Sequence, residues 1–143
     1  MKVYQPKEAT PELVSALERL LPQLDTSVEI LTFKELDSLI NDENTCFFVG
    51  EKDGQIMATI SIVIYKIPTG EKAWIEDVIV DESVRGFGYG KKLMNFAIDF
   101  LRNKGISKVN LTSNPSRVAA NKLYQSLGFK IRETNLYRME IQK

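Results

Sequence analysis

The segment IEDVIVDESVRGFGYGK, from Ile75 to Lys91, decides how this chain is interpreted. Its first six residues are typical of a buried β-strand, and the residues that follow the segment have a helical apolar period. Between them, three glycines alternate with two aromatic residues. Glycine accepts the backbone angles of a sharp turn and leaves no Cβ above the backbone. The segment therefore predicts a strand, a glycine-rich turn and a helix in direct succession.

A turn of this kind can bind an anion. Its successive backbone N–H groups point into one concavity, and the N-terminus of the following helix adds partial positive charge. Such a nest suits a pyrophosphate, and Arg85 and Lys91 would add two cations at its rim. A Walker loop fits poorly because Lys91 is followed by Lys92, and a dinucleotide fingerprint fits poorly because its sixth position is Lys91. A glycine-rich turn without a ligand is the alternative.

The run from Arg85 to Gly90 resembles the Arg/Gln-x-x-Gly-x-Gly/Ala loop of the GNAT superfamily of N-acetyltransferases. The resemblance implies acetyl-coenzyme A (acetyl-CoA) as co-substrate, with its pyrophosphate at the loop and its pantetheine arm along the backbone of the preceding strand. It implies no metal. The residues that it assigns to coenzyme A are Val78, Ile79, Val80, Arg85, Gly86, Phe87, Gly88, Tyr89, Gly90, Lys91, Asn114, Asn121 and Tyr124.

The segment from Asn114 to Phe129 is similar to the family's other recognisable block. Asn121 and Tyr124 are three residues apart and share one helical face. The resemblance implies that this face meets the cofactor sulfur and that Tyr124 is the catalytic acid for the departing thiolate. A phenol of pKa about 10 can protonate a thiolate whose conjugate acid lies near about 8.5 only with a modest penalty or local tuning. The alternative is a packing tyrosine beside Leu123 and Leu127.

An amine nucleophile must lose a proton, and two carboxylates precede the loop. Glu76 and Asp77 lie next to each other on the predicted strand, so alternation would send them to opposite faces. Their Ile-Glu-Asp setting is similar to that of the glucosamine-6-phosphate N-acetyltransferase branch. We favour Glu76 as the catalytic base, acting through water, although an ion-paired strand carboxylate is the alternative. Cys46, in an apolar strand, is interpreted as an inert thiol, which favours direct transfer in a ternary complex.

Composition narrows the class of protein. The chain has 143 residues, 43% of them hydrophobic and 27% charged, which fits one globular domain over residues 1–143. Its 19 basic and 19 acidic residues balance, so no general field favours nucleic acid or a membrane. It has no histidine, which removes Ser-His and Cys-His pairs and most zinc sites. One cysteine and no membrane or signal segment predict a cytoplasmic protein.

The predicted fold class is α/β (α+β) with the GNAT-type acyl-CoA N-acyltransferase fold, a mixed central sheet flanked by helices. The predicted order is β-α-α-β-β-β-α-β-α-β-β. The predicted strands are 2–9, 45–51, 55–66, 73–80, 108–113, 129–133 and 136–141, and the predicted helices are 11–21, 33–40, 91–104 and 115–127.

The acceptor is expected to be a primary amine of a small molecule or a peptide. Acidic residues in the N-terminal half favour a cationic amine, with an ordinary solvated surface as the alternative, whereas the Ile-Glu-Asp run favours an amino sugar. A polyamine, an aminoglycoside or a peptide N-terminus is also compatible. Family resemblance favours a homodimer. The alternative function is a non-catalytic acyl-CoA-binding or sensor module.

Overall fold

A computed structural model describes residues 1–142 of the chain. Its strands are β1 (Lys2–Tyr4), β2 (Thr45–Lys52), β3 (Gln55–Ile67), β4 (Gly70–Val80) and β5 (Val109–Asn110). Its helices are α1 (Pro11–Leu24), α2 (Phe33–Ile40), α3 (Tyr89–Asn103) and α4 (Val118–Ser126), and a 3-10 turn spans Glu82–Val84. These elements divide into two compact units, Met1–Thr112 and the residues from Ser113 onward. The single domain over the whole chain stays a prediction.

The first unit is built on a five-stranded sheet of order β1-β2-β3-β4-β5. The first four strands pair antiparallel, and β5 runs parallel to β4. The sheet is therefore mixed, as predicted, and with its helices it confirms the predicted fold class. None of the helices in residues 1–142 is both long and apolar enough to cross a membrane.

Apolar stripes on the helices form the core of this unit. On α1, Leu13 and Leu17 are buried and belong to one cluster with Phe47 and Val49 of β2. On α3, the buried stripe consists of Leu93, Met94, Ala97 and Leu101. The ring of Phe48 on β2 meets the rings of Phe96 and Phe100 edge-on, each at 4.9 Å between centroids. Burial at helical spacing on α3 thus holds that helix, and the loop before it, against the sheet.

Capping residues in the local sequence fix where the first two helices begin. Thr10 caps α1, since its Oγ1 accepts from the Leu13 N–H at 3.2 Å. Thr32 and Glu35 form a reciprocal capping box at the start of α2. The prediction that α1 ends at Leu21 was wrong by about one turn. Pro22 has no N–H to donate but has a helical φ, so the helix continues to Leu24.

Other predicted bounds are corrected. The predicted strand 2–9 stops at Tyr4, before Pro6, which has no N–H to donate to a sheet. The predicted strand 108–113 pairs only at Val109–Asn110. The helix expected from 115 begins at Val118, because the Asn114 Oδ1 accepts from the Ser116 N–H at 2.9 Å and holds a turn there.

The predicted closing strands 129–133 and 136–141 are not formed. Their alternating apolar residues are typical of strands, but a strand exists only when its backbone pairs with a neighbour, and no pairing occurs here within residues 1–142. Apart from the partly buried Phe129, their apolar side chains are exposed, as shown by Ile131 at 87% and Tyr137 at 87%.

Candidate active site

The sheet opens along one edge of β4. Strand β5 pairs with β4 only at Ala73 and Trp74. From Ile75 to Val80, the edge of β4 that faces away from β3 has no strand beside it within residues 1–142. An exposed edge of this kind offers backbone N–H and C=O groups to an extended ligand. The predicted pantetheine contacts Val78, Ile79 and Val80 all lie on it.

A β-bulge interrupts β4 in this open stretch. Ser61 pairs with Glu76, but Thr59 pairs with Ile79, so β4 contains one extra residue. Asp77 lies in the bulge with φ +49°, a left-handed conformation that aspartate tolerates better than most residues. The prediction that Glu76 and Asp77 face opposite sides assumed a regular strand, and the bulge removes that assumption. Both residues are exposed.

Burial acts on the carboxyl group of Asp77. Although Asp77 as a residue is exposed, partial burial of its carboxyl raises the pKa of Asp77 above its ordinary value. A carboxylate with a raised pKa is a stronger base. The bulge therefore presents two candidate bases, Glu76 and Asp77, next to each other at the open edge.

The glycine loop has the backbone of an anion nest. Gly86 and Gly88 adopt φ +88° and +81°, on either side of Phe87. Within residues 1–142, no protein acceptor takes the backbone N–H groups of residues 86–91. A Cβ built on Gly86 or Gly88 would meet no atom within 4 Å, so the backbone angle and not crowding requires glycine there. Six consecutive N–H groups are thus available to a ligand.

Helix α3 begins at this loop. Its N-cap is Gly88, which makes no side-chain cap, and its first turn carries no acidic residue. The positive end of the helix dipole is therefore not neutralised by the chain itself. Uncapped N–H groups at an open loop suit a bound phosphate or pyrophosphate. The residues present thus fit the pyrophosphate of coenzyme A.

The two predicted rim cations differ in what they contact. The Nε of Arg85 donates to the Val80 carbonyl at 3.1 Å, which ties the loop back to β4. Lys91 lines a cavity of about 610 Å³ beside the first turns of α3. Arg85 therefore stabilises the turn. The positive charge of Lys91 lies beside the loop, where an anionic ligand could contact it.

A buried aspartate anchors the segment before the loop, and the sequence analysis did not identify it. Asp81 is 4% exposed and forms an ion pair with Arg19 of α1. Its Oδ1 also accepts from the Ser83 N–H at 2.9 Å and the Ser83 hydroxyl at 2.8 Å. Its own N–H donates to the Met57 carbonyl at 2.8 Å. The Asp-x-Ser spacing was the available signal, because it is typical of such a turn.

In the second unit, Tyr124 is buried at 6% exposure. Burial raises the pKa of Tyr124, and the charge and hydrogen bond of Arg117 oppose that rise. The ring meets Phe129 edge-on at 6.1 Å between centroids. The phenol is therefore held in place, and it keeps its proton at neutral pH.

Asn121 and Asn114, the other predicted cofactor residues of this unit, stabilise its backbone. The Asn121 Nδ2 donates to the Asn114 carbonyl at 2.9 Å and to the Arg117 carbonyl at 2.8 Å. These bonds hold the turn at Asn114 against the first turn of α4. The donor group of Asn121 is thus engaged, and its Oδ1 is the atom left for a ligand.

Cys46 lies at the start of β2 and is partly buried. Burial raises the pKa of the Cys46 thiol, and the charge of Lys104 opposes the rise. A thiol with a raised pKa is a poor nucleophile at neutral pH. This setting favours the interpretation of Cys46 as inert.

Comparison of the sequence with known proteins identifies the family of this chain. The profile of the acetyltransferase (GNAT) family matches residues 12–129. The chain is 30% identical over 125 residues to the uncharacterized N-acetyltransferase YhdJ of Bacillus subtilis, covering 85% of this chain and 87% of that protein. It is 38% identical over 82 residues to the glucosamine 6-phosphate N-acetyltransferase of Arabidopsis thaliana, covering 55% of each.

Solved structures share the fold. An aminoglycoside acetyltransferase from an uncultured soil metagenomic sample superposes with a TM-score of 0.85 over 99% of this chain and 96% of that one, at 22% identity. That identity shows the fold alone, whereas the family profile covers most of the sequence. The chain is thus a member of the acetyltransferase (GNAT) family, as the glycine loop and the block from Asn114 to Phe129 predicted.

Proposed function

We propose that this N-acetyltransferase takes its acetyl group from acetyl-CoA and transfers it directly to a primary amine in a ternary complex. The observation that carries the proposal is the row of six backbone N–H groups at residues 86–91 that no protein acceptor takes within residues 1–142. They lie at an uncapped helix N-terminus and follow the open edge of β4.

The residues that would hold the donor follow from this geometry. The N–H groups of residues 86–91 would bind the pyrophosphate, and the backbone of Val78–Val80 would orient the pantetheine arm by strand-like pairing. Bound acetyl-CoA supplies an activated acetyl thioester. Backbone N–H groups on the β4 edge would also stabilise negative charge on the acetyl oxygen. The main catalytic effect of these contacts is positioning.

The amine must be neutral to attack, so its proton has to be removed. We assign this role to Glu76, acting through water. Asp77 is the alternative, because partial burial raises its pKa and so strengthens it as a base. Both lie in the stretch of β4 that has no strand beside it.

Tyr124 would return a proton to the leaving sulfur. The acid form of the phenol is the one needed, and a pKa raised by burial keeps that form fully populated at neutral pH. The alternative of an acyl-enzyme on Cys46 is disfavoured, because the raised pKa of that thiol keeps it protonated and poorly nucleophilic.

For the acceptor, we propose a small-molecule amine and, first, an amino sugar. The support is the Ile75-Glu76-Asp77 run together with the relative that is a glucosamine 6-phosphate N-acetyltransferase. A panel of an amino sugar phosphate, an aminoglycoside, a polyamine and a peptide N-terminus tests the assignment by thiol release from acetyl-CoA. Turnover of only the peptide would contradict it.

Isothermal titration with acetyl-CoA tests the donor. We expect saturable binding, and no binding at hundreds of micromolar would remove the proposal. Binding without turnover of any amine in the panel would instead indicate an acyl-CoA sensor.

A further inference from the structure

Arg117 is the N-cap residue of α4, and the stability of that helix does not explain an arginine there. N-cap positions favour serine, threonine, aspartate and asparagine, whose side chains accept hydrogen bonds from the first N–H groups of the helix. The side chain of Arg117 makes no capping bond. A cation at this end of a helix is also repelled by the positive end of the helix dipole. The side chain of Arg117 therefore contributes little to the start of α4.

The backbone of Arg117 is held on both sides. Its N–H donates to the Asn114 carbonyl at 3.0 Å. Its carbonyl accepts from the N–H of Asn121 at 3.0 Å and from the Asn121 Nδ2 at 2.8 Å. On the side of Arg117, these bonds use main-chain atoms alone. They therefore fix where its side chain starts and leave the guanidinium available to another group.

The guanidinium of Arg117 contacts the phenol of Tyr124. The two residues are seven positions apart (124 − 117), which is close to two helical turns, so their side chains leave the same face of α4. Helical side chains lean toward the N-terminus, which brings the phenol of Tyr124 back toward Arg117. The Arg117 side chain forms a hydrogen bond with the buried phenol, and its charge acts on the same group. The second unit thus places a cation next to the phenol that the proposed function uses as its acid.

The direction of this hydrogen bond suits a proton donor. The guanidinium of arginine has N–H donors only, and it does not lose its proton in proteins. The phenol oxygen of Tyr124 therefore accepts from Arg117, and the phenol keeps its own hydrogen for a different acceptor. The contact thus orients Tyr124 as a donor directed away from Arg117.

We propose that Arg117 is a positioning residue for acetyl transfer, which holds the phenol of Tyr124 and stabilises the phenolate that forms when the leaving sulfur is protonated. The inference rests on the proposed function, which makes Tyr124 the acid. In that step the O–H bond of Tyr124 breaks, an S–H bond forms on the leaving thiolate, and the negative charge moves from sulfur to the phenol oxygen. The fixed positive charge of Arg117 compensates the new charge. Water returns a proton to the phenolate before the next turnover.

This role of Arg117 makes the proton of the buried phenol easier to release. A thiol has an ordinary pKa of about 8.5 and a tyrosine one of about 10, so transfer from phenol to thiolate is uphill. Burial raises the pKa of Tyr124 and makes the transfer harder. Within residues 1–142, Arg117 is the charged group that lowers the pKa of Tyr124. Burial thus keeps the phenol protonated before reaction, and Arg117 reduces the penalty for giving up the proton.

A double-mutant cycle tests the inference. Arg117→Met should lower kcat about tenfold in the wild-type background, which is part of the loss expected from Tyr124→Phe. In the Tyr124→Phe background, the same substitution should change kcat by less than about twofold, because the oxygen through which Arg117 acts is gone. Arg117→Lys should recover part of the rate, since lysine keeps a cation with N–H donors but not the planar fork. Thiol release from acetyl-CoA, with the amine of the panel that is turned over fastest, measures these rates.

Nuclear magnetic resonance of tyrosine labelled with carbon-13 at Cζ gives a second readout, which needs no turnover. The signal that is missing from Tyr124→Phe belongs to Tyr124, and its titration measures the pKa of that phenol. Arg117→Met should raise the pKa of Tyr124 further, because it removes the group that lowers it. The control is Lys122→Met, which removes an exposed cation from the same helix and should change neither kcat nor the pKa of Tyr124. Thermal unfolding of each variant checks that the fold is intact.

The outcomes separate this inference from the acid role of Tyr124. Equal fold losses from Arg117→Met in the two backgrounds would mean that Arg117 does not act through the phenol, and would overturn the inference. An unchanged kcat in Arg117→Met, or an unchanged pKa of Tyr124 in that variant, would also overturn it while the acid role stands. An unchanged kcat in Tyr124→Phe would remove the acid role and the inference together.

Discussion

At the scale of single residues, the chemistry depends on where each proton is held. Tyr124 is buried, and burial raises its pKa, whereas the two candidate bases lie on an open strand edge. Burial favours the neutral phenol of Tyr124, and partial burial likewise raises the pKa of Asp77. The surroundings of each group, and not its residue type alone, therefore set its pKa.

Tyr124→Phe should lower kcat about 100-fold, a typical loss when a general acid is removed. The thermal unfolding temperature should change little, since the phenylalanine keeps the edge-on contact with Phe129. Thiol release and thermal melts measure the two effects, and Tyr137→Phe, at an exposed tyrosine of the same unit, is the control. Because the pKa of Tyr124 is raised from about 10, no loss of rate from its ionisation is expected below about pH 10. An unchanged kcat in Tyr124→Phe would exclude the acid role.

The bulge carboxylates give a second test. A folded-state pKa raised above the unfolded value means that Asp77 favours folding in its protonated form, and this contribution is lost as pH rises through the folded pKa. At pH 7, Asp77→Asn should therefore be neutral or stabilising by less than about 1 kcal/mol, and asparagine also tolerates the φ of +49°.

The activities of Glu76→Gln and Asp77→Asn identify the base. If Glu76 is the base, Glu76→Gln lowers kcat/KM by about 100-fold, and Asp77→Asn keeps most of it. Initial rates at saturating acetyl-CoA measure both. A large loss of kcat/KM in Asp77→Asn, with little change in Glu76→Gln, would instead identify Asp77 as the base.

At the scale of elements, the glycine loop and α3 form one unit. Gly88 has φ +81° at the start of α3, and Gly105 has φ +75° just after its end, and an added Cβ meets nothing within 4 Å at either. Alanine should cost about 1 kcal/mol of stability at each, because the left-handed region is strained for residues with a Cβ.

The two substitutions should differ in binding. Gly88→Ala should weaken acetyl-CoA at least about tenfold, because a relaxed φ would turn the N–H groups of residues 86–91 apart. Gly105→Ala should leave the affinity unchanged. Thermal melts of the two variants measure the backbone strain, and calorimetry measures their affinity for acetyl-CoA. If both variants bind acetyl-CoA equally well, the N–H groups of residues 86–91 do not form the anion site.

At the scale of the whole molecule, Arg19 connects α1 to the sheet. It pairs with buried Asp81 and donates to the Ile56 carbonyl at 2.6 Å. Arg19→Met would leave a buried carboxylate without its cation, and we expect a loss of about 1–3 kcal/mol in urea unfolding. The control is Arg102→Met, whose pair with Asp99 is exposed and should contribute about 1 kcal/mol or less. Equal losses of unfolding free energy in the two variants would mean that Arg19 does not stabilise the buried carboxylate of Asp81.

The assembly in solution is a further prediction at this scale. We expect a homodimer, so sedimentation equilibrium should give a mass of about twice the 16.3 kDa of one chain. Sedimentation at the mass of one chain over the micromolar range would contradict it.

Some features were predictable because their causes are local. Helix α2 has the predicted bounds, Phe33–Ile40, because Thr32 and Glu35 cap it within four residues. The glycine loop was identified for the same reason, since glycine at residues 86 and 88 is required by backbone angles within the loop. The family resemblance, which rested on this loop, was confirmed by the family profile over residues 12–129.

Other features depend on partners that are distant in sequence. The bulge at Asp77 arises from the register between β3 and β4, and the pair of Arg19 with Asp81 joins residues 62 positions apart (81 − 19). The alternating residues of 129–141 have a strand pattern but form no strand, because pairing requires a neighbouring backbone that a local pattern does not specify. The sequence by itself determined the loop, its helix and the family. Only the tertiary structure decided which N–H groups are left for a ligand and which carboxylates share the open edge, since both depend on long-range pairing.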